Sequence, residues 1–284
     1  MDLLKKLTNY SFLMRFHQPI GIYLLLIPCL WSLVIFSSNG LDIKLLIIFI
    51  IGSIITRSSG CIVNDLVDIK IDRLVERTKN RPLTSGEVTI WEALILLALL
   101  CVVAVILLLF LSKEAVYIAL IAPFLVILYP FMKRITYFPQ VILGITFNLG
   151  VLMANAALTG KVTLSGIYLY IAAIFWSLGY DTVYAHQDKI DDQQIGLKST
   201  ALILNKFPKL WISSFYILML VFLIRTAGLE NLNNIFIILC VGNIIWFLIK
   251  LRKLDLNNPN ECAKNFKSNS ILGSMILLSI LASK

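Results

Sequence analysis

Two short passages of this sequence concentrate carboxylates next to long apolar runs. The first is CIVNDLVDIKIDR, residues 61–73, and the second is GYDTVYAHQDKIDDQQIGLKST, residues 179–200. If each passage is helical, a step of 100° per residue places several of its polar residues along one side. These aligned positions are Asn64, Asp68 and Asp72 in the first passage and Asp181, Asp188 and Asp192 in the second.

The residue types in these passages indicate a hard metal ion. Residues 64–76 and 181–192 contain no cysteine and a single histidine, His186. Oxygen ligands favour Mg²⁺ or Ca²⁺ over zinc, and we expect His186 to be a hydrogen-bonding residue at the mouth of a cavity. Mg²⁺ typically bridges carboxylates to substrate phosphates. Basic residues able to hold such phosphates follow both passages: Arg73, Arg77, Lys79, Arg81, Lys133, Arg134 and Lys198.

The composition is that of an integral membrane protein. The chain has 284 residues, of which 59% are hydrophobic and 14% are charged, and its mean hydropathy is +0.88. A soluble domain has about 25% charged residues. Apolar runs of near-spanning length predict an all-α protein with nine transmembrane helices. The predicted helices are at 19–38, 42–63, 91–111, 114–131, 138–158, 165–184, 210–226, 232–249 and 268–283.

The distribution of basic residues predicts the orientation of the chain. The formal net charge is +9, a value also found in nucleic-acid-binding proteins. Here, however, 19 of the 25 Lys and Arg residues fall at the N-terminus and in alternate connections, and five fall on the opposite side. Such an asymmetry predicts a cytoplasmic N-terminus. Both acidic passages then lie on the cytoplasmic side, and no nucleic-acid partner is expected.

The two acidic passages also occupy matching places, after the second and at the end of the sixth predicted helix. This predicts a single domain, 1–284, built from two four-helix halves at about 19–131 and 138–249. The last helix, 268–283, would be additional. A site between two such halves is typical of membrane proteins with internal repeats.

Arg57 is the one basic residue deep inside a predicted membrane helix, away from its ends. It lies seven residues before Asn64, hence two turns deeper and about 20° from the same line. An intramembrane arginine is a candidate functional residue, and its partner is expected to be the acidic face or a bound anion.

Two motifs resemble those of the UbiA-type intramembrane aromatic prenyltransferases. Asn64-Asp65-x-x-Asp68-x-x-x-Asp72, followed by Arg77-Thr78-Lys79-Asn80-Arg81-Pro82-Leu83, is similar to the first family signature. Asp181-x-x-Tyr184-Ala185-x-x-Asp188-x-x-Asp191-Asp192, followed by Gly196-x-Lys198-Ser199-Thr200, is similar to the second. The resemblance extends from Arg15 to about Leu204, and Ile190 departs from it where relatives often have an acid.

The resemblance implies nine helices around a central cavity, with a cytoplasmic cap over the two Asp-rich motifs. It implies Mg²⁺-dependent transfer of a polyprenyl group from polyprenyl diphosphate to the ring carbon ortho to the hydroxyl of 4-hydroxybenzoate. This is a step of ubiquinone biosynthesis at the bacterial inner membrane, and no obligatory protein partner is evident. The implied metal ligands are Asn64, Asp68, Asp72, Asp181, Asp188 and Asp192.

Other roles follow from the same resemblance. The Asp68, Asp72, Asp188 and Asp192 carboxylates and Lys133 would serve catalysis, whereas Arg57, Asn64, Arg77, Arg81, Tyr184, Lys198 and Asp181 would bind substrate. Arg57 with Asn64 would hold the acceptor carboxylate, and Arg15 is the weaker candidate. The wall around an allylic cation would come from among Phe124, Tyr129, Phe147, Phe175, Trp176 and Tyr180.

Two alternatives remain at this point. A related prenyltransferase would use naphthoate, homogentisate, haem or a lipid alcohol as its acceptor. A cation or organic-anion transporter would place its site near the midplane, with access from both sides. The acids of this chain are instead concentrated at one mouth, which favours the enzyme. Prenyl chain length and oligomeric state have no signature in the sequence.

Overall fold

The computed structural model describes residues 3–38 and 40–284. These residues form fourteen α-helices and, within the same ranges, no β-strand. The helices are α1 (Leu3–Leu13), α2 (Ile20–Phe36), α3 (Ile43–Asp72), α4 (Ile90–Leu108), α5 (Lys113–Ala119), α6 (Ala122–Ile135), α7 (Pro139–Phe147), α8 (Leu149–Thr159), α9 (Leu164–Ala185), α10 (Lys189–Ile195), α11 (Thr200–Ile203), α12 (Pro208–Leu229), α13 (Asn234–Lys253) and α14 (Pro259–Leu281).

The predicted all-α membrane architecture is confirmed in its coarse form. Six stretches are long and apolar enough to cross a membrane: α3, α4, α5 with α6, α7 with α8, α12 and α13. The apolar helix α2 is shorter, with 17 residues. The nine crossings, the single domain and its two halves stay predictions. The predicted domain also includes residues 1, 2 and 39, which lie outside the described ranges.

Two predicted helices are interrupted. The segment predicted at 114–131 divides into α5 and α6, and the segment at 138–158 divides into α7 and α8 at Asn148. The Asn148 side chain explains the second break, because its Nδ2 donates to the Gly144 and Ala173 carbonyls at 2.7 and 3.2 Å. Asparagine side chains compete in this way for backbone carbonyls and disturb a helix.

Helix α14 begins nine residues before the predicted start at 268. Its first turns are polar, so hydropathy detects only the later part. The beginning is set by Asn258, whose Oδ1 accepts hydrogen bonds from the backbone N–H groups of Asn260 and Glu261 at 3.0 and 3.4 Å. Such side-chain capping satisfies N–H groups that a helix leaves free.

Helix α3 is the longest element and carries most of the first acidic passage. Its 30 residues run without a break from Ile43 to Asp72, a length of about 45 Å at 1.5 Å per residue. The prediction that this helix continues past Asn64 is confirmed. Because about 30 Å suffices to cross the hydrocarbon core, its last turns extend beyond the apolar segment.

An aromatic core joins α2, α9, α12, α13 and α14. Trp31, Trp176 and Tyr216 are fully buried in it. Their polar atoms have partners, since Asn269 Oδ1 accepts from Trp176 Nε1 at 3.1 Å and from the Tyr216 hydroxyl at 2.8 Å. Trp31 Nε1 donates to the Gly273 carbonyl at 2.9 Å. The core thereby fixes α9, which carries Asp181, between α12 and α14.

The outer surface remains strongly apolar. In α4, Ala93 is the one buried residue, and Leu99, Val102 and Val105 are all more than half exposed. Contiguous apolar exposure on this scale is costly in water and typical of a surface that contacts lipid.

The close approach of α2 and α9 to α14 at Gly273 gives a stability prediction. A Cβ atom there would lie 2.8 Å from both Ile27 Cγ2 and Trp176 Cη2. We expect Gly273→Ala to reduce the free energy of unfolding by about 1–3 kcal/mol, because overpacking forces neighbours to move. Thermal unfolding in detergent measures this.

Gly242→Ala is the matched control, because nothing lies within 4 Å of a Cβ at that helical position. Equal unfolding temperatures for the two variants would contradict the packing described at Gly273.

Candidate active site

The acids of α3 lie at the point where the helix leaves its apolar segment. Asp65, Asp68 and Asp72 are 1%, 0% and 4% exposed. Asn64 is half-buried one residue before them. Three carboxylates with so little contact with solvent require cations close by.

The second acidic passage does not form one helix, and the single line predicted for Asp181, Asp188 and Asp192 is wrong. Helix α9 ends at Ala185, Asp188 is the residue before α10, and Asp192 lies in α10. The chain turns between them, with the Gln187 N–H donating to the Tyr184 carbonyl at 3.0 Å. No glycine or proline marks this turn in the sequence.

The turn nevertheless brings these acids to the same cavity as those of α3. The cavity has a volume of about 560 Å³. All but one of the twelve predicted site residues line it. These eleven are Arg57, Asn64, Asp72, Arg77, Arg81, Lys133, Asp181, Tyr184, Asp188, Asp192 and Lys198.

Asp68 is the predicted site residue that does not line the cavity. Its carboxylate is fully buried and accepts from Lys133 Nζ and from an Arg134 Nη at 2.5 and 3.1 Å. Both cations belong to the end of α6. Of these two partners of Asp68, Lys133 lines the cavity and Arg134 does not.

Asp65 holds two arginines that sequence reasoning did not pair with it. One Arg15 Nη atom donates to both carboxylate oxygens at 2.8 and 2.7 Å. Arg81 Nη1 donates to Asp65 at 2.9 Å and to Asp72 at 2.6 Å. Arg15, the weaker candidate for an acceptor carboxylate, is thus engaged by Asp65.

Arg77 connects the two acidic passages directly. It follows α3 in the chain, and its Nε and Nη2 donate to the two oxygens of Asp188 at 2.8 and 2.5 Å. Its guanidinium also lies over the Tyr184 ring, 5.5 Å from the ring centroid. On α10, burial and then the nearby Asp188 raise the pKa of Asp192 to about 6.

The oxygen ligands available around the cavity are chemically suited to a magnesium ion. They are carboxylate and amide oxygens from α3, α9 and α10 around one cavity, and Mg²⁺ prefers such ligands. Within the described ranges, no three Asp, Glu, His or Cys side chains lie close enough together to hold a metal. The acids are instead paired with arginine and lysine.

Arg57 lies in the same cavity, two turns of α3 below Asn64. Its guanidinium is 5.6 Å from the centroid of the Phe147 ring, and its buried Nε has no hydrogen-bond partner among the described residues. A Cβ atom at Gly21 would fall 2.2 Å from this Nε. Gly21 is therefore what leaves room for the guanidinium, a role that sequence reasoning missed.

Three of the six aromatic candidates lie at the cavity. Tyr129, Phe147 and Tyr180 line it, and their role in a wall stays a prediction. Phe124, Phe175 and Trp176 do not line it and are excluded as candidates. Phe124 is 76% exposed, Trp176 is buried in the aromatic core, and Phe175 stacks on Phe222 with a centroid distance of 5.8 Å. The helical phase of an aromatic residue does not tell from the sequence whether its side chain faces the cavity, the core or the outer surface.

Comparison with known families assigns the chain. Residues 25–275 match the model of the UbiA prenyltransferase family. The chain belongs to this family. It is 41% identical over 276 residues to the 4-hydroxybenzoate octaprenyltransferase of Vesicomyosocius okutanii, covering 95% of this chain and 99% of that protein. It is 40% identical to the mitochondrial 4-hydroxybenzoate polyprenyltransferase of Drosophila pseudoobscura, covering 96% and 69%.

The fold is also that of solved UbiA structures. The UbiA homologue of Archaeoglobus fulgidus bound to DMAPP and Mg²⁺ superposes with a TM-score of 0.73, covering 97% of this chain and 98% of the other. The sequence identity is 16%, so this likeness concerns the fold alone.

The buried ion pairs give a second stability prediction. Asp65→Asn removes the charge that faces both Arg15 and Arg81, and we expect it to lower the free energy of unfolding by about 3 kcal/mol, because breaking a buried pair leaves charge uncompensated. Glu76→Gln is the control, because the Glu76 side chain is 81% exposed in its pair with Lys79. Chemical unfolding of both variants measures the difference, and an unchanged Asp65→Asn protein would contradict the pairing.

Proposed function

We propose that this protein transfers a polyprenyl group from a polyprenyl diphosphate to 4-hydroxybenzoate and releases diphosphate, a step of ubiquinone biosynthesis. The observation that carries the proposal is the shared cavity, in which carboxylates from α3 and from the α9–α10 region meet several basic side chains above Arg57. The relatives named for this reaction, about 40% identical over nearly the whole chain, support the acceptor.

The proposed setting is a bacterial inner membrane. Nine crossings would be made by α2, α3, α4, α5–α6, α7–α8, α9, α12, α13 and α14. The excess of Lys and Arg at one end supports a cytoplasmic N-terminus. The loop after α3 and the segment around α10 would form a cytoplasmic cap over the cavity, and Arg77 joins these two segments through Asp188.

Six residues would hold magnesium: Asn64, Asp68, Asp72, Asp181, Asp188 and Asp192. The Mg²⁺ bound in the Archaeoglobus fulgidus homologue supports this choice of metal. When bound, the metal supplies charge neutralisation and Lewis-acid assistance to the diphosphate leaving group.

The basic residues would bind the diphosphate. Arg77, Arg81 and Lys133 each pair with one of the proposed metal ligands. Each basic side chain therefore becomes available to phosphate oxygens once its carboxylate has another partner. Lys198, whose Nζ donates to the Ile135 carbonyl at 3.0 Å, would add a fourth positive charge at the same mouth.

The lower part of the cavity would hold the reacting carbons. Departure of diphosphate leaves an allylic cation, which the faces of Tyr129, Phe147 and Tyr180 would stabilise by about 0.5–2 kcal/mol each. Arg57 would hold the acceptor carboxylate, with Asn64 above it. The ring carbon ortho to the hydroxyl then bonds to the prenyl carbon and loses its proton.

The decisive experiment is an assay of the purified protein with polyprenyl diphosphate, Mg²⁺ and a panel of acceptors. We expect 3-polyprenyl-4-hydroxybenzoate to form and its formation to stop with EDTA. Prenylation of naphthoate, homogentisate or haem instead of hydroxybenzoate would replace the proposed acceptor. Product formation unaffected by EDTA would exclude the metal.

Substitution of one carboxylate at a time tests the proposed metal ligands. We expect Asp72→Asn and Asp188→Asn each to reduce kcat by at least about a hundredfold, because positioned charge at a leaving group contributes on this scale. Glu76→Gln, with an exposed side chain after α3, serves as the control. Wild-type turnover in either aspartate variant, with normal unfolding, would remove that residue from the metal site.

Arg57 is tested by varying the enzyme and the acceptor together. We expect Arg57→Gln to raise the KM for 4-hydroxybenzoate by about ten- to a hundredfold, because a charge-assisted bond to the carboxylate is lost. The KM for prenyl diphosphate should stay unchanged. With 4-hydroxybenzamide, which lacks the negative charge, wild type and variant should differ little; an equal penalty for both acceptors would refute the pairing.

A further inference from the structure

A second cavity lies outside the proposed active site. Its volume is about 650 Å³, and it is bounded by the turn after α9, the segment before α12, the start of α12 and the end of α13. It shares no lining residue with the proposed active-site cavity. None of the residues proposed to hold the metal or the substrates lines this second cavity.

Positive charge dominates its walls. Four lysines line the cavity, and Asp255 is the one acidic lining residue. The lysines are Lys189, Lys206, Lys209 and Lys253. Two of them are already engaged, since Lys189 Nζ donates to Asn205 Oδ1 at 2.5 Å and Lys209 Nζ to the Arg252 carbonyl at 2.8 Å. The side chains of Lys206 and Lys253 are exposed and donate no hydrogen bond within the described ranges. Lys206 Nζ lies 5.5 Å from the centroid of the neighbouring Phe207 ring.

His186 provides an independent indication of a ligand. It lines the cavity and is 5% exposed, yet neither ring nitrogen has a partner among the described residues. Buried polar side chains are nearly always hydrogen-bonded, so this one lacks its partner. The hydrogen bond expected for His186 at a cavity mouth has no acceptor or donor among the described residues, which leaves both ring nitrogens to a ligand.

The start of α12 adds the positive end of a helix and one backbone donor. The helix has 22 residues and begins at Pro208 without a side-chain cap, and residues 207–210 all line the cavity. Pro208 has no N–H, and the N–H groups of Leu210 and Trp211 donate to the Phe207 carbonyl at 3.1 and 3.2 Å, so the Lys209 N–H is the donor left in the first turn. The N-terminus of a helix carries partial positive charge. Phosphate groups bind at such ends.

We propose that this cavity is a binding site for a phosphate group, held by His186, Lys206, Lys253 and the N-terminus of α12. The apolar side chains beside it favour the phosphate of an anionic lipid over a soluble anion. Phe207, Leu210 and Trp211 are 56%, 64% and 47% exposed at this end of α12. Aromatic residues beside lysines are typical of the level of the lipid headgroups.

The proposal is tested with the purified full-length protein, without magnesium or prenyl diphosphate. Thermal unfolding is followed in detergent against inorganic phosphate, with chloride at matched ionic strength as reference. In parallel, native mass spectrometry counts the phosphatidylglycerol molecules that stay bound to the protein after its release from nanodiscs. Phosphatidylcholine serves as the reference lipid. A ligand that binds the folded state raises Tm.

Two variants change the second cavity and one serves as control. Lys206→Gln/Lys253→Gln removes the two lysines whose side chains donate no hydrogen bond, and His186→Phe removes the unpartnered ring nitrogens. Lys250→Gln removes a lysine of α13 that lies over Trp246 and does not line the cavity. We expect both cavity variants to weaken phosphate or phosphatidylglycerol binding at least tenfold and the control to bind as wild type.

His186→Phe should also unfold at or above the wild-type temperature without phosphate, since it replaces an unpartnered polar ring by an apolar one. Binding of phosphatidylglycerol alone would assign the site to lipid, and binding of inorganic phosphate alone would assign it to a soluble anion. Equal affinities in wild type and both cavity variants, or no effect of either probe on wild type, would overturn the proposal. Because no prenyl transfer is measured, this result is independent of the proposed reaction.

Discussion

Neutralisation of buried carboxylates is the constraint on which this structure depends. Asp65, Asp68 and Asp72 leave water almost completely when α3 folds into the bundle. Isolated charges in such surroundings are very costly. The protein supplies counter-charges from the α1–α2 connection, from the loop after α3 and from α6. The pairs made by Arg15 and Arg134 connect segments that are 50 and 66 residues apart in sequence.

The same pairs suit the charges of the proposed ligands. Arg77, Arg81 and Lys133 each compensate a carboxylate at short distance. Under the proposed function, a metal ion and a diphosphate bring opposite charges into the cavity. These three cations would then turn to phosphate oxygens, and their carboxylates would turn to the metal.

Periodicity and residue type predict a large part of the arrangement. The acids of α3 share a continuous helix because no breaker lies between Asn64 and Asp72, and their meeting with Asp181 and Asp188 agrees with the prediction that both passages lie on the same side of the bundle. The turn after Ala185 has no glycine or proline to announce it. The break at Asn148 depends on a carbonyl of α9, and the pairing of Arg15 with Asp65 spans 50 residues. Contacts between distant segments leave no periodic trace in one sequence.

The unbroken course of α3 also fixes the vertical scale of the cavity. Arg57 and Asp72, which both line the cavity, are 15 residues apart on one helix, hence about 22 Å along its axis. A single inserted residue between them would turn one against the other by about 100°. Under the proposed function, the backbone geometry of α3 therefore sets the distance between the residue that would hold the acceptor and a residue that would hold the metal. An acceptor of another length would then require a change in the surroundings of Arg57, such as the space left at Gly21.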